Sequence, residues 1–157
     1  MKSFRKLTTI STLYEDEFKI SRENFIAPFD AGELNFVSTF YEYKIEPAYK
    51  SPELAGILSV VIPGSGKMYV GEWGDGITAL LVTSLFAFLA YDNFQADHTT
   101  RAWIFTGLGA FFYAGNIYGS VASAQIFNAR IDFEFNEGLE LFLKQQNYFL
   151  HEYDFCK

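Results

Sequence analysis

Cysteine, clustered basic residues and paired histidines are what this chain lacks, and each absence removes a class of function. Cys156 is the single cysteine among 157 residues, which excludes an intramolecular disulfide and any multi-cysteine metal site. The 12 Lys and Arg residues form no run against 19 Asp and Glu. Without clustered cations to neutralise phosphates, no nucleic-acid partner is expected. His98 and His151 lie far apart, with no carboxylate–histidine repeat at ligand spacing, so no metal is expected. No serine sits in a nucleophile-elbow pattern. The run Glu15-Asp16-Glu17 has no identifiable acid-base partner and reads as a solvated face. Lys2, Arg5 and Lys6 are followed by a polar stretch rather than an apolar segment of signal-peptide length, so no cleavable signal is expected in this sequence. No catalytic residue and no cofactor-binding residue emerges, and a non-enzymatic role is expected.

Charge is also missing from one long segment, and that absence is informative. The chain is 50% hydrophobic and 19% aromatic with a net charge of -7, yet between Tyr69 and Phe127 the only charged residues are Glu72, Asp75, Asp92, Asp97 and Arg101. Segregation of this kind predicts a membrane-embedded middle. Gly76 to Tyr91 is uncharged, and Ala102 to Phe127 is uncharged and long enough to span with tilt. The polar stretch Asp92 to Arg101 reads as a wet loop between them. Trp73, Tyr91 and Trp103 fall where amphipathic rings favour the headgroup level. Lys44, Lys50, Lys67 and Arg130 on the side of the termini, against Arg101 in the loop, favour cytoplasmic termini.

Ahead of these segments, Ser51-Pro52-Glu53 has the form of a helix start, with a capping serine, proline at the first helical position and an acid favourable to the dipole. The apolar helix it begins, over 53–62, is too short to span and reads as re-entrant, interfacial or a packed cap. Pro63-Gly64-Ser65-Gly66-Lys67 then looks like the end of a phosphate-binding loop. That pattern needs glycine at position 61 and Ser or Thr at 68, where the chain has Val61 and Met68, and the flanking strand is missing. The better reading is a glycine-rich turn over 63–76 in which small residues permit close backbone contact.

Taken together, Lys50-Ser51-Pro52, Leu54-Ala55-Gly56, Leu58-Ser59, Pro63-Gly64-x-Gly66, Tyr69-x-Gly71 and Gly76 resemble the small bacterial membrane domains related to the two-transmembrane-helix domain family. Phe112-Tyr113-x-Gly115-Asn116-Ile117-Tyr118-Gly119 and Ala124-x-x-x-Asn128 resemble a bacterial subgroup in which helical repeats precede the membrane part. The resemblance covers about residues 50 to 128 and departs at Met68, where an aromatic residue is usual. It implies a helical fold in a bacterial inner membrane, and no established catalytic residues.

Within the second span, Gly115 and Gly119, continued by Ser123, form a small-xxx-small ridge that serves equally for packing inside a hairpin or for a dimer face. Asn116 is the most polar residue deep in this block, and a hydrogen bond between helices is its expected use. The flanks are amphipathic: Leu7, Ile10, Tyr14 and Phe18 predict a helix within 7–26, Leu34, Val37, Tyr41 and Ile45 another before Pro47, and Phe135, Leu139, Phe142, Gln146 and Leu150 a third.

The expected fold is therefore all-α, an integral membrane helical hairpin with amphipathic helices at both ends. A polar helical region covers 1–49, a membrane domain 50–128 with spans at about 74–93 and 102–127, and a C-terminal amphipathic helix 129–157. The expected role is an anchor or scaffold that contacts the lipid bilayer and other membrane proteins of envelope or transport machinery, or its own copies. The alternatives are a small oligomeric channel or transporter-like protein lined by Tyr113, Asn116 and Tyr118, and a soluble all-helical interaction domain, which the mean hydropathy of +0.06 keeps open.

Overall fold

A computed structural model of the chain describes residues 2–15 and 17–146. All regular structure among them is helical: α1 (Lys2–Ser11), a 3-10 turn (Thr12–Tyr14), α2 (Arg22–Ile26), α3 (Leu34–Ile45), α4 (Pro52–Val61), α5 (Ser65–Tyr69), α6 (Trp73–Gln95) and α7 (Thr99–Gln145). The chain divides into two compact units. One holds the described residues of Met1–Ala48 and those from Ile131 on, the other Tyr49–Arg130.

The first unit follows the burial rule of a water-soluble domain. Ile10, Leu13, Phe25, Phe29, Val37, Leu139 and Phe142 form its core. Phe25 and Leu139 have no exposed surface. Aromatic rings lock the elements together, with Phe18 edge-on to Phe25 and Tyr41, Phe40 against Phe135 and Phe142, and Tyr43 stacked on Phe135 at 5.6 Å. The helix expected within 7–26 is not continuous. It breaks after Ser11, where the hydroxyls of Thr8, Ser11 and Thr12 each bond a carbonyl three or four residues back, an arrangement that competes with helix propagation. The 3-10 turn then turns Leu13 inward, and Glu15 is extended. Tyr41 donates to the Ile20 carbonyl at 3.0 Å and pins the segment leading to α2.

A separate C-terminal helix beginning at 129 is also corrected. Asn128-Ala129-Arg130-Ile131 contains neither Gly nor Pro, so α7 runs unbroken through it to Gln145, and its residues from Ile131 on pack with α1–α3. Phe135, Leu139 and Phe142 take core positions as their spacing predicts. Leu150, His151 and Cys156 lie outside the described residues.

The second unit follows the opposite rule. Apart from Val70, its buried residues are small or polar: Ala55, Gly56, Ser59, Gly64, Gly66, Gly76, Ala90, Ala102, Asn116, Ser120, Ser123 and Ala124. Ser59 and Ser120 are the largest fully buried side chains in it. Its large apolar residues face outward, with Val61 72%, Leu81 64%, Phe88 62% and Phe111 75% exposed. α6 and α7 form an antiparallel hairpin, since Phe94 meets Trp103 and Phe86 stacks on Phe112 at 5.2 Å. The connection is shorter than the expected loop: α6 extends to Gln95 and α7 begins at Thr99, leaving Ala96–His98, with Asp97 in the left-handed region at φ 58°. Among the described residues α6 is the one helix long and apolar enough to cross a membrane, with a mean hydropathy of 1.5 over a window only 11% buried. The second expected span, 102–127, is less apolar than the first, because Asn116, two tyrosines and several glycines dilute that half of α7.

One ionic cluster, buried at Lys6 and Glu33 and exposed at Asp30, tests the first unit. The Lys6 ammonium donates to Glu33 at 2.6 Å and Asp30 at 2.7 Å. Burial pulls its pKa down, but the hydrogen bonds and charges of Asp30 and Glu33 outweigh this and the net shift is upward. The part of the stability linked to the Lys6 proton is therefore fully present below the ordinary lysine value of 10.5 and disappears as pH climbs through the higher folded-state value. Lys6→Ala leaves two carboxylates facing each other and is expected to lower the opening free energy of α1–α3 by ~3 kcal/mol in amide hydrogen exchange on the full chain.

Candidate functional site

The glycine-rich segment is a folded joint rather than a simple turn. α4 begins as its sequence dictates: Leu54 N–H donates to the Ser51 hydroxyl at 3.1 Å, and Pro52 occupies the first turn. After Pro63, Gly64 adopts φ +88°, which reverses the chain and favours glycine. α5, unexpected within the turn, then runs back along α4. A side chain at Gly66 would sit 2.0 Å from the Ala55 carbonyl oxygen, so the two backbones touch. Tyr69 lies further along α4, its hydroxyl 3.4 Å from the Ser51 amide and its ring 4.8 Å from the Lys50 ammonium. Gly71 takes φ +93° and turns the chain into α6. There Gly76 passes Gly64 so closely that a side chain on Gly64 would stand 1.9 Å from the Gly76 carbonyl oxygen.

This joint ends α4 halfway along the hairpin, and its backbone is satisfied from within. Ser65 donates to the carbonyls of Leu58 and Ile62 at 2.7 and 2.8 Å, and Tyr113 donates to that of Val60. Ser59 bonds Ser120 at 2.7 Å and accepts from Gly66 N–H at 3.0 Å. Lys50 and Asn128 exchange a pair of hydrogen bonds at 2.8 and 2.9 Å at the base of α4. A helix end buried without such partners would cost several kcal/mol per orphaned group, on the order of 2–7.

Beside the joint, α5, α6 and α7 enclose a cleft of about 390 Å³. Lys67, Asp75 and Asn116 supply its polar groups, and Val82, Phe111 and Phe112 are among its apolar walls. Neither Lys67 nor Asp75 has a side-chain ion pair or hydrogen bond among the described residues, and they do not pair with one another. Asn116 is 7% exposed, and both its amide oxygen and its amide nitrogen lack a partner. The interhelical hydrogen bond expected of Asn116 is thus not made. Buried polar groups are almost always satisfied, so an orphaned amide lining a cavity marks a place for a ligand or water.

The glycine ridge does not serve close helix packing within this unit. A side chain at Gly115 would meet nothing within 4 Å, and one at Gly119 would meet the Lys67 side chain at 3.4 Å. Ser123 donates to the Glu72 carboxylate at 2.6 Å. The close approach of α6 and α7 falls instead at Gly109, against Phe86 at 3.2 Å. Spacing drew attention to Gly115 and Gly119, while Lys67 and Asp75 converge only because the joint folds α5 back beside α6. The available signal was that both interrupt an otherwise charge-poor stretch. Groups of His, Cys, Asp or Glu able to hold a metal are absent among the described residues.

The joint predicts a sharp contrast between glycines. Gly64→Ala, Gly66→Ala and Gly76→Ala each drive a methyl into backbone or a packed side chain and are expected to destabilise the unit by ~1–3 kcal/mol. Gly74→Ala and Gly107→Ala meet open space and should be neutral or stabilising by up to ~1 kcal/mol. Thermal unfolding in detergent, followed by the fluorescence of Trp73 and Trp103, separates the two groups. Comparison with protein-family models, with curated proteins and with solved structures finds no match to this chain.

Proposed function

We propose that this chain is an integral membrane protein without catalytic activity. The α6–α7 hairpin crosses the bilayer, α4 and α5 re-enter from the side of the termini, and the unit built on α1–α3 is a water-exposed module for protein partners. The observation that carries this reading is the inverted burial of the second unit. Lipid tails solvate apolar side chains, so a membrane domain packs through small and hydrogen-bonding residues and turns its Leu and Phe outward. Ser59 with Ser120, Gly56 beside Val121 and the exposed Leu81, Leu85 and Phe88 follow that pattern. The capped end of α4 supports the re-entrant placement, since non-helical backbone at membrane depth requires internal partners. The resemblance of the glycine joint to the two-transmembrane-helix domain family favours the same reading and a bacterial inner membrane.

An anchored scaffold fits the rest of the chain. The aromatic-rich first unit leaves Phe36 and Phe133 58% and 64% exposed, side chains suited to contacts with envelope or transport proteins. Alkaline carbonate extraction of membranes from expressing cells is expected to leave the chain in the pellet. Cysteines introduced at Glu42 and Asp97 in a Cys156→Ser background should be labelled by an impermeant reagent from opposite faces. Release by carbonate, or labelling of both positions from one face, would reject the arrangement.

A further inference from the structure

We propose that the cleft between α5, α6 and α7 binds the zwitterionic headgroup of a phosphoethanolamine-type lipid, its ammonium on Asp75, its phosphate on Lys67 and an ester carbonyl on the Asn116 amide. The inference rests on the membrane placement of the α6–α7 hairpin and adds a ligand to it.

The order of groups along the cleft carries the argument. The pairings Phe94–Trp103 and Phe86–Phe112 fix the antiparallel register of α6 and α7, which sets Asp75 near the level of Ser123. Glu72, bonded to Ser123, lies at the same end. Lys67 packs its Cε and Nζ 3.4 and 3.7 Å from the position of a Gly119 side chain, one turn of α7 deeper, or ~6 Å. Asn116 is deeper by a further ~5 Å, and Phe112 by ~6 Å again. From mouth to floor the cleft thus presents an anion, a cation, an unpartnered amide and aromatic walls. A phosphoethanolamine lipid presents an ammonium, a phosphate, ester carbonyls and acyl chain in that same order.

Trp73 is 63% exposed one half-turn before Asp75, which sets the mouth of the cleft at the level indole rings prefer, among headgroups. Phe111, 75% exposed, continues the apolar wall onto the outer surface, where an acyl chain leaves. A purely anionic headgroup would leave Asp75 unpaired beside it and lose affinity to like-charge repulsion. The glycine at position 115 leaves room for the ligand, because a side chain there would meet nothing within 4 Å.

Native mass spectrometry of the full chain in mild detergent, offered an equimolar mixture of phosphatidylethanolamine and phosphatidylglycerol, tests the assignment. The wild-type chain is expected to retain phosphatidylethanolamine with about tenfold preference, the worth of one partly desolvated ion pair. Asp75→Asn should abolish the preference while still binding lipid, and Lys67→Met should lose both lipids. The elution volume and tryptophan emission of each variant report that it is folded. Equal retention of both lipids by the wild-type chain, or an undiminished preference in Asp75→Asn, would overturn the proposal. So would water-soluble glycerophosphoethanolamine competing as well as the lipid, because the apolar walls would then contribute nothing. A chain that resists carbonate extraction yet shows no preference defeats this inference alone and leaves the membrane placement standing.

Discussion

The backbone contact between Gly64 and Gly76, together with that of Gly66 on the Ala55 carbonyl, is the constraint on which the second unit depends. Three helices cannot otherwise come so near in so few residues. The contact sends α5 back along α4, sets the start of α6 beside the end of α4, and so places Lys67 and Asp75 around one cleft. It also leaves the end of α4 hydrogen-bonded within the unit. The carbonyls there lie within bonding distance of the hydroxyls of Ser65 and Tyr113, which satisfy them without any outside partner. Glycine geometry, buried serines and cleft are consequences of a single close packing.

The two units solve opposite solvation problems with one composition. In the first, Leu13, Phe25, Val37 and Leu139 are withdrawn from the surface, as the hydrophobic effect requires in water. In the second, residues of the same kinds are exposed while Ala55, Ser59 and Ser120 are enclosed. The proposed bilayer around the second unit accounts for both patterns. The near-zero mean hydropathy, which kept a wholly soluble reading open, averages two regions that differ in kind. α7 contributes to both units, and its apolar residues change from outward-facing in Phe111 and Ile126 to inward-facing in Ile131, Leu139 and Phe142.

Much of the helical architecture was legible locally. Ser51 and Pro52 announce α4, Pro47 limits α3, and the apolar block at 74–93 lies within Trp73–Gln95, because caps, breakers and uncharged runs act on nearby residues. What was not legible depends on distant contacts. The five residues of α5 would not be helical without α4 and α6 to pack on, since a helix so short does not sustain itself. The continuation of α7 past 127 carries no signal of its own, because a change from apolar to charged residues alters the solvent face without breaking the helix. The end of α1 is written in hydroxyls that bond backwards, and these look like ordinary polar positions. At the cleft, the oddity of Asn116 was visible in sequence, but its lack of a partner was not. The convergence of Lys67 and Asp75 upon it required the glycine joint.

Lipid around the second unit, as proposed, is what turns its burial inside out. The chain contains two tryptophans, Trp73 and Trp103, which are 63% and 64% exposed at the beginnings of α6 and α7. Quenching of their fluorescence by phospholipids brominated at graded acyl depths, with the intact chain reconstituted in vesicles, measures that claim directly. Strong quenching by bromines nearest the headgroups, falling toward the chain ends, is the predicted result for rings at the two interfaces. Emission that none of the brominated lipids quenches would place both indoles in water or in a protein core and contradict the account.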